Sequence, residues 1–155
     1  MMAADLPAEI PIFPLTGALL LPGGQLPLNI FEPRYLAMVE SALGHGRFIG
    51  MVQPREADRE TVGDEAAVFE TGCLGRISQF SEMPGGQFSL ALSGICRFQI
   101  TREFELLDGY RRVEPNFDGF IDDLSPPAEG LNDRPGLINA LREFFKSNNL
   151  DADWD

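Results

Sequence analysis

The sequence predicts a mainly β (α+β) fold: a bent antiparallel sheet or pseudo-barrel with one flanking helix, followed by the start of a C-terminal helical subdomain. Three observations predict it. Apolar residues alternate with polar or small ones, placing Phe88, Leu90 and Leu92 on one face and then Cys96, Phe98 and Ile100 inward against Arg97, Gln99 and Thr101 outward. That is the period of half-buried antiparallel strands. Glycines punctuate these runs at the spacing of turns and bulges. Helical periodicity appears only twice, at Pro33–Leu43 and beyond Asp133, on either side of the strand-rich stretch.

Taken in order, the apolar runs Ile10–Leu15 and Leu26–Phe31 are strands flanking a tight Pro22-Gly23-Gly24 break. The prolines at 11, 14, 22, 27 and 33 each remove a backbone donor. The strands that carry them are therefore expected at edges, bulges or corners rather than mid-sheet. Pro33 starts a helix at the position where a missing amide costs nothing, and Glu32 suits the positive end of its dipole. Tyr35, Leu36, Val39, Ala42 and Leu43 form its apolar stripe, and Gly44 is expected to end it. Phe48–Val52 is a short buried strand, and Gln53–Ala66 a polar, charge-rich loop.

Strand character returns over Val68–Phe80, where Gly72 and Gly75 mark a bulge or a close backbone approach. Met83-Pro84-Gly85-Gly86 is a hairpin connection to the return strand Gln87–Leu92. Tyr110–Val113 adds a strand that Pro115 is expected to terminate. Acids then accumulate without a single base up to Asp133. The expected organisation is a β domain over 1–117, an acidic linker or loop over 118–133, and a helical subdomain over 134–155. Asp133 caps its helix, whose apolar face is Leu137, Ile138, Leu141, Phe144 and Phe145. A lone amphipathic helix needs a surface to pack against, so the helical subdomain is expected to be truncated. Leu137, Leu141, Phe144 and Phe145 are accordingly an expected interaction surface, including for self-association.

Composition narrows the function. The 155 residues carry 24 acids against 12 bases, a net charge of −12, with the arginines dispersed among acids. Such a chain repels a phosphate backbone, so nucleic acid is not an expected partner. No Lys or Arg precedes Arg34, which argues against a secretory leader, and the early apolar run Ala18–Leu21 is far short of a membrane span. Cys73 and Cys96 lie in apolar strand patterns without CxxC spacing and are expected as buried reduced thiols. The expected location is the cytoplasm, with no membrane association.

Catalytic and metal-binding patterns are missing. No G-x-x-x-x-G-K-[ST] phosphate loop occurs, and the one lysine, Lys146, falls on the terminal helix. His45 stands between two glycines without ligand partners nearby, as a turn residue does. Neither cysteine sits in a pattern suited to pairing with it as a nucleophile. The acids of 118–133 do not follow the calcium-loop spacing, and Pro11-x-x-Pro14 is embedded in a strand-like run. No catalytic residue, metal or cofactor is expected.

Four blocks in fixed order carry a family resemblance. They are PLTGALLLPGGQLPLNIFEPRY from Pro14, Gly72-Cys73-Leu74-Gly75-Arg76-Ile77, the run Gly86–Phe98, and Tyr110-Arg111-Arg112-Val113. Together they resemble the Lon substrate-binding domain, in its stand-alone bacterial form and in the Lon-like domain of cereblon-type receptors. The resemblance implies a PUA-like pseudo-barrel followed by a helical bundle. It also implies a non-catalytic module that binds unfolded or exposed apolar protein segments, in association with ATP-dependent proteolysis. An RNA-binding PUA-like domain is the alternative that the same fold superclass offers. The expected substrate-binding residues are Leu20, Leu21, Pro22, Gly23 and Gly24 in the first turn, with Glu32 and Arg34 at the helix start.

Overall fold

A computed structural model of the chain describes residues 1–56, 65–125 and 134–147, with side chains in the last helix described at 138–144 and 146. Six strands and two α-helices follow in the order β1 (Ile10–Pro14), β2 (Gln25–Ile30), α1 (Pro33–Leu43), β3 (Phe48–Val52), β4 (Thr71–Met83), β5 (Gln87–Glu103), β6 (Arg111–Asn116) and α2 (Arg134–Ser147). The chain forms two compact units, 1–125 and 126–155.

The strands form one sheet in the order β2-β5-β4-β3-β1-β6, and β5 pairs with β6 as well, so the strands from β5 round to β6 close a ring. Every pairing is antiparallel except β1 with β3. Ring closure falls to β5, which is 17 residues long and bends to reach three partners. Register shifts at Leu74/Gly75 and at Ile100/Arg102 supply the bend. The tight hairpin between β4 and β5 holds Gly85 and Gly86 at φ +84° and +77°, a conformation that side chains disfavour.

Several local expectations change. β1 lies between β3 and β6, not at an edge. Its two prolines are tolerated because each meets one neighbour: Pro11 is in register with β6 and Pro14 with β3. β2, carrying Pro27, does take an edge, with β5 as its one described partner. Pro115 does not stop β6, which runs on to Asn116 and sets Pro115 opposite Ile100. Gly44 ends α1 with a helical φ, and the left-handed turn falls on Gly46 and Arg47 instead. Val68 forms a single bridge to Pro54, and β4 proper begins at Thr71.

Residues 118–124, expected within a linker or loop, form a 3-10 helix, and the first unit runs on to Ser125. Phe117 is buried in the core, and Phe120 and Leu124 pack against it. Arg97 on β5 holds this segment by two hydrogen bonds of 2.9 Å to Asp123, and its amide donates a third at 3.0 Å. The guanidinium also lies 4.8 Å from the Phe120 ring. Apolar residues spaced among the acids thus convert a polar stretch into a strap over β5.

The core has two parts. One gathers α1 (Tyr35, Met38, Val39) against Phe13, Leu20, Ile30 and the β4–β5 hairpin. The other surrounds Phe98 with Ile10, Ile12, Val52, Leu74 and Val113. Gly50 and Gly72 make room for the Phe98 ring: a Cβ on Gly50 would stand 2.9 Å from Phe98 Cζ. One on Gly72 would stand 2.8 Å from it and 2.6 Å from the Met51 carbonyl oxygen. Gly72→Ala is therefore expected to cost about 2–3 kcal/mol in urea unfolding. Gly119→Ala, which adds a methyl group in open space, serves as the control and should be near neutral.

The Asp123 carboxyl is held below its ordinary range first by the hydrogen bond from Arg97, with its charge adding to the effect, against a smaller opposing cost of burial. A depressed carboxylate stabilises the fold at neutral pH and loses that contribution as the pH falls through about 4 and below. Asp123→Asn should therefore lower the melting temperature at pH 7, and the gap to the parent should shrink on acidification. Thermal melts at stepped pH check this.

Candidate functional site

The first turn is built by the sheet it covers. Leu20 is 4% exposed and drops its side chain into the space left by two glycines of β4 and β5. A Cβ on Gly75 would stand 2.8 Å from Leu20 Cδ2, and one on Gly94 would stand 2.0 Å from the Leu21 carbonyl oxygen. Backbone bonds fix the loop there: Gly23 N–H donates to Gly94 O at 3.0 Å, and Gly94 N–H donates to Gly24 O at 2.8 Å. A turn bond from Gly24 N–H to Leu21 O (2.9 Å) and the Gln53 amide donating to Ala18 O complete it. With the backbone anchored, Leu19 and Leu21 stand 67% and 56% exposed on either side of the buried Leu20.

Expected as one cluster, the turn residues thus divide by role. Leu20 is core, Gly23, Gly24 and Gly94 are backbone anchors, and Leu21 with the half-buried Pro22 faces outward. Leu19, in the same run, is the most exposed of the three leucines.

Glu32 and Arg34, expected as substrate-binding residues, pair with each other at 3.1 Å between Arg34 Nε and Glu32 Oε2. The guanidinium also lies 4.6 Å from the ring of Tyr35, which stacks on Phe13 at 4.2 Å. The pair therefore joins the helix start to the core, and it remains partly exposed beside Phe31, a large apolar side chain that is 64% exposed. Phe31 was not among the expected site residues. Its place directly after an edge strand and before a proline-started helix was the available signal.

β2 connects these two ends. The hydrogen bond between Gly24 and Gly94, continued by antiparallel alternation, turns Leu26, Leu28 and Ile30 toward β5. Gln25, Pro27 and Asn29 then direct their backbone groups away from the sheet, where the absent Pro27 donor breaks no ladder bond. Among the described residues the result is an open strand edge bounded by exposed leucines at one end and Phe31 at the other.

On α2, Leu141 and Phe144 are exposed. The side chains of Leu137 and Phe145 lie outside the described residues. The two cysteines are free and buried, as expected. Burial pushes the Cys73 thiol up to about 12 and the Cys96 thiol to about 11, so neither is poised as a nucleophile at neutral pH. Among the described residues no group of three or more His, Cys, Asp or Glu is arranged to hold a metal, and no helix is long and apolar enough to cross a membrane.

The family model of the substrate-binding domain of ATP-dependent protease La (Lon) matches residues 9–150. The chain belongs to the Lon substrate-binding domain family. It is 32% identical over 132 residues to a Lon protease of Anaeromyxobacter dehalogenans, covering 83% of this chain and 15% of that protein. It is also 32% identical over 96 residues to Lon protease 2 of Myxococcus xanthus, covering 62% and 12%. The chain thus spans a small part of these relatives, and the match lies in the substrate-binding domain rather than the protease domain. A Lon N-terminal domain protein from Xanthomonas campestris has a similar structure, with TM-score 0.59 and 26% identity over 89% of this chain and 73% of that one. The N-terminal domain of a Mycobacterium avium complex Lon protease shares the fold at TM-score 0.56 and 18% identity, covering 91% and 69%.

Because the Leu21 carbonyl occupies the space of a Gly94 side chain, Gly94→Ala must move the loop. The expected cost is about 2–3 kcal/mol of stability, together with altered amide shifts at Leu19–Gly24. Urea titration and two-dimensional NMR check both.

Proposed function

We propose that this Lon-family domain is a substrate-recognition module without chemistry of its own, binding unfolded or exposed apolar protein segments for delivery to a protease. The observation that carries the reading is the pairing of a rigid backbone with displayed apolar side chains at Leu19 and Leu21. Exposed leucines adjoining a fixed turn lose little freedom on binding and gain the hydrophobic energy of contact. The open edge of β2 offers carbonyls at Gln25, Pro27 and Asn29 to an extended segment, and Phe31, Glu32 and Arg34 form its far end.

The test is fluorescence binding of a casein-like unfolded protein, with a structured RNA in matched salt as the second ligand. The unfolded protein should bind and the RNA should not. Leu19→Ser with Leu21→Ser should weaken binding about 10-fold or more without loss of stability. Leu20→Ala should instead destabilise the domain by about 2–4 kcal/mol. Binding of RNA in place of unfolded protein, or full binding by the double serine variant, would overturn the reading.

The exposed Leu141 and Phe144 favour self-association through α2 as a separate property. Light scattering over a concentration series, with Phe144→Asp as the control, should show a concentration-dependent mass that the variant loses.

A further inference from the structure

A concave surface lies away from the first turn. It is a groove of about 360 Å³ where the end of α1 meets the starts of β1, β3 and β6. Its floor is apolar, made by Ile10, Pro11, Phe48, Tyr110 and Leu107, and its polar edge carries Glu9 and Arg112. β1 runs between β3 and β6, so Phe48 lies on one side of the floor and Tyr110, Arg112 and Leu107 on the other.

The charge around this groove departs from that of the molecule. On the Phe48 side stand Arg47, preceding it in the chain, and Arg76, whose guanidinium lies 5.8 Å from the Phe48 ring. Both are exposed, and among the described residues neither makes an ion pair. The acids Glu105 and Asp108 flank Leu107 on the other side, so the Phe48 side is the basic one in a chain of net charge −12. Between them Arg112 is incompletely held. It donates from Nη1 to Glu9 and from Nη2 to the Glu105 carbonyl at 3.1 Å, while its buried Nε has no acceptor. Glu9 is a half-exposed partner attached through one carboxylate oxygen, and a second carboxylate can replace it.

We propose that this groove binds a protein segment in which an apolar side chain adjoins a carboxylate: the apolar group fills the floor, and the carboxylate displaces Glu9 from Arg112. Arg47 and Arg76 draw the acidic segment toward the Phe48 side. The site is independent of the first turn and gives the domain a preference among apolar segments for those that are also acidic.

Fluorescence anisotropy of the intact 155-residue protein with two labelled peptides tests it, one containing Leu-Glu and the other Leu-Gln at the same place. The Glu peptide is expected to bind roughly 5-fold tighter. Glu9→Gln removes the competing carboxylate and should tighten the Glu peptide by about 3-fold, a gain that a purely structural ion pair would not produce. Arg47→Gln should weaken it by about 2-fold, and Leu19→Ser with Leu21→Ser should leave the Glu-over-Gln preference unchanged. Equal binding of the two peptides, no gain in Glu9→Gln, or loss of the Glu-over-Gln preference in the double serine variant would overturn the proposal. The double serine variant read against casein-like protein tests the first turn separately, so failure of one site is distinguishable from failure of the other.

Discussion

The structure depends on the space that glycines leave around two side chains. Phe98 occupies positions that side chains at Gly50 and Gly72 would fill, and Leu20 does the same against Gly75. A side chain at any of these positions would collide with Phe98 or Leu20 and strain the packing inside the curved sheet in which β5 reaches β6 as well as β4. The ring is thus closed by a packing constraint and by register shifts in one long strand, with hydrogen bonding following the path that packing allows.

That constraint also produces the displayed surface. Because Leu20 must enter the ring beside Gly75 and Leu92, its neighbours in the chain cannot do so. Side chains on either side of an inward-pointing residue in an extended segment face away from it. Exposure of Leu19 and Leu21 is therefore a geometric consequence of burying Leu20. The run of three leucines serves stability through its middle member and leaves its outer two available for the recognition role proposed above.

Much of this was legible in the sequence, and the losses have physical causes. Strict alternation identified the inward residues of β5, and the glycines at 72 and 75 signalled close approach, because both signals are local. The position of β1 was not legible. Proline at an edge and proline mid-sheet with staggered partners differ only in pairing register, which depends on residues far along the chain. The 3-10 strap was missed because six acids masked the spacing of Phe117, Phe120 and Leu124, and its anchor is Arg97, distant in sequence. At the candidate site, PLTGALLLPGG marked out a turn between two strands and the leucines around it. Dividing its leucines between core and surface required knowing where Gly75 and Gly94 lie.

The two proposed recognition surfaces differ in the energy they offer. The first turn presents apolar side chains on a backbone-anchored loop, so an affinity built on it would grow with contact area and discriminate little among apolar sequences. The groove beside Phe48 is concave and bordered by charge, so its contribution depends on a carboxylate and falls with salt. A substrate segment that engages both gains from their linkage, since the second contact becomes intramolecular once the first is made. On these two proposals, such a module would accept many unfolded chains weakly and hold longest those that carry an acidic, apolar stretch at the matching distance.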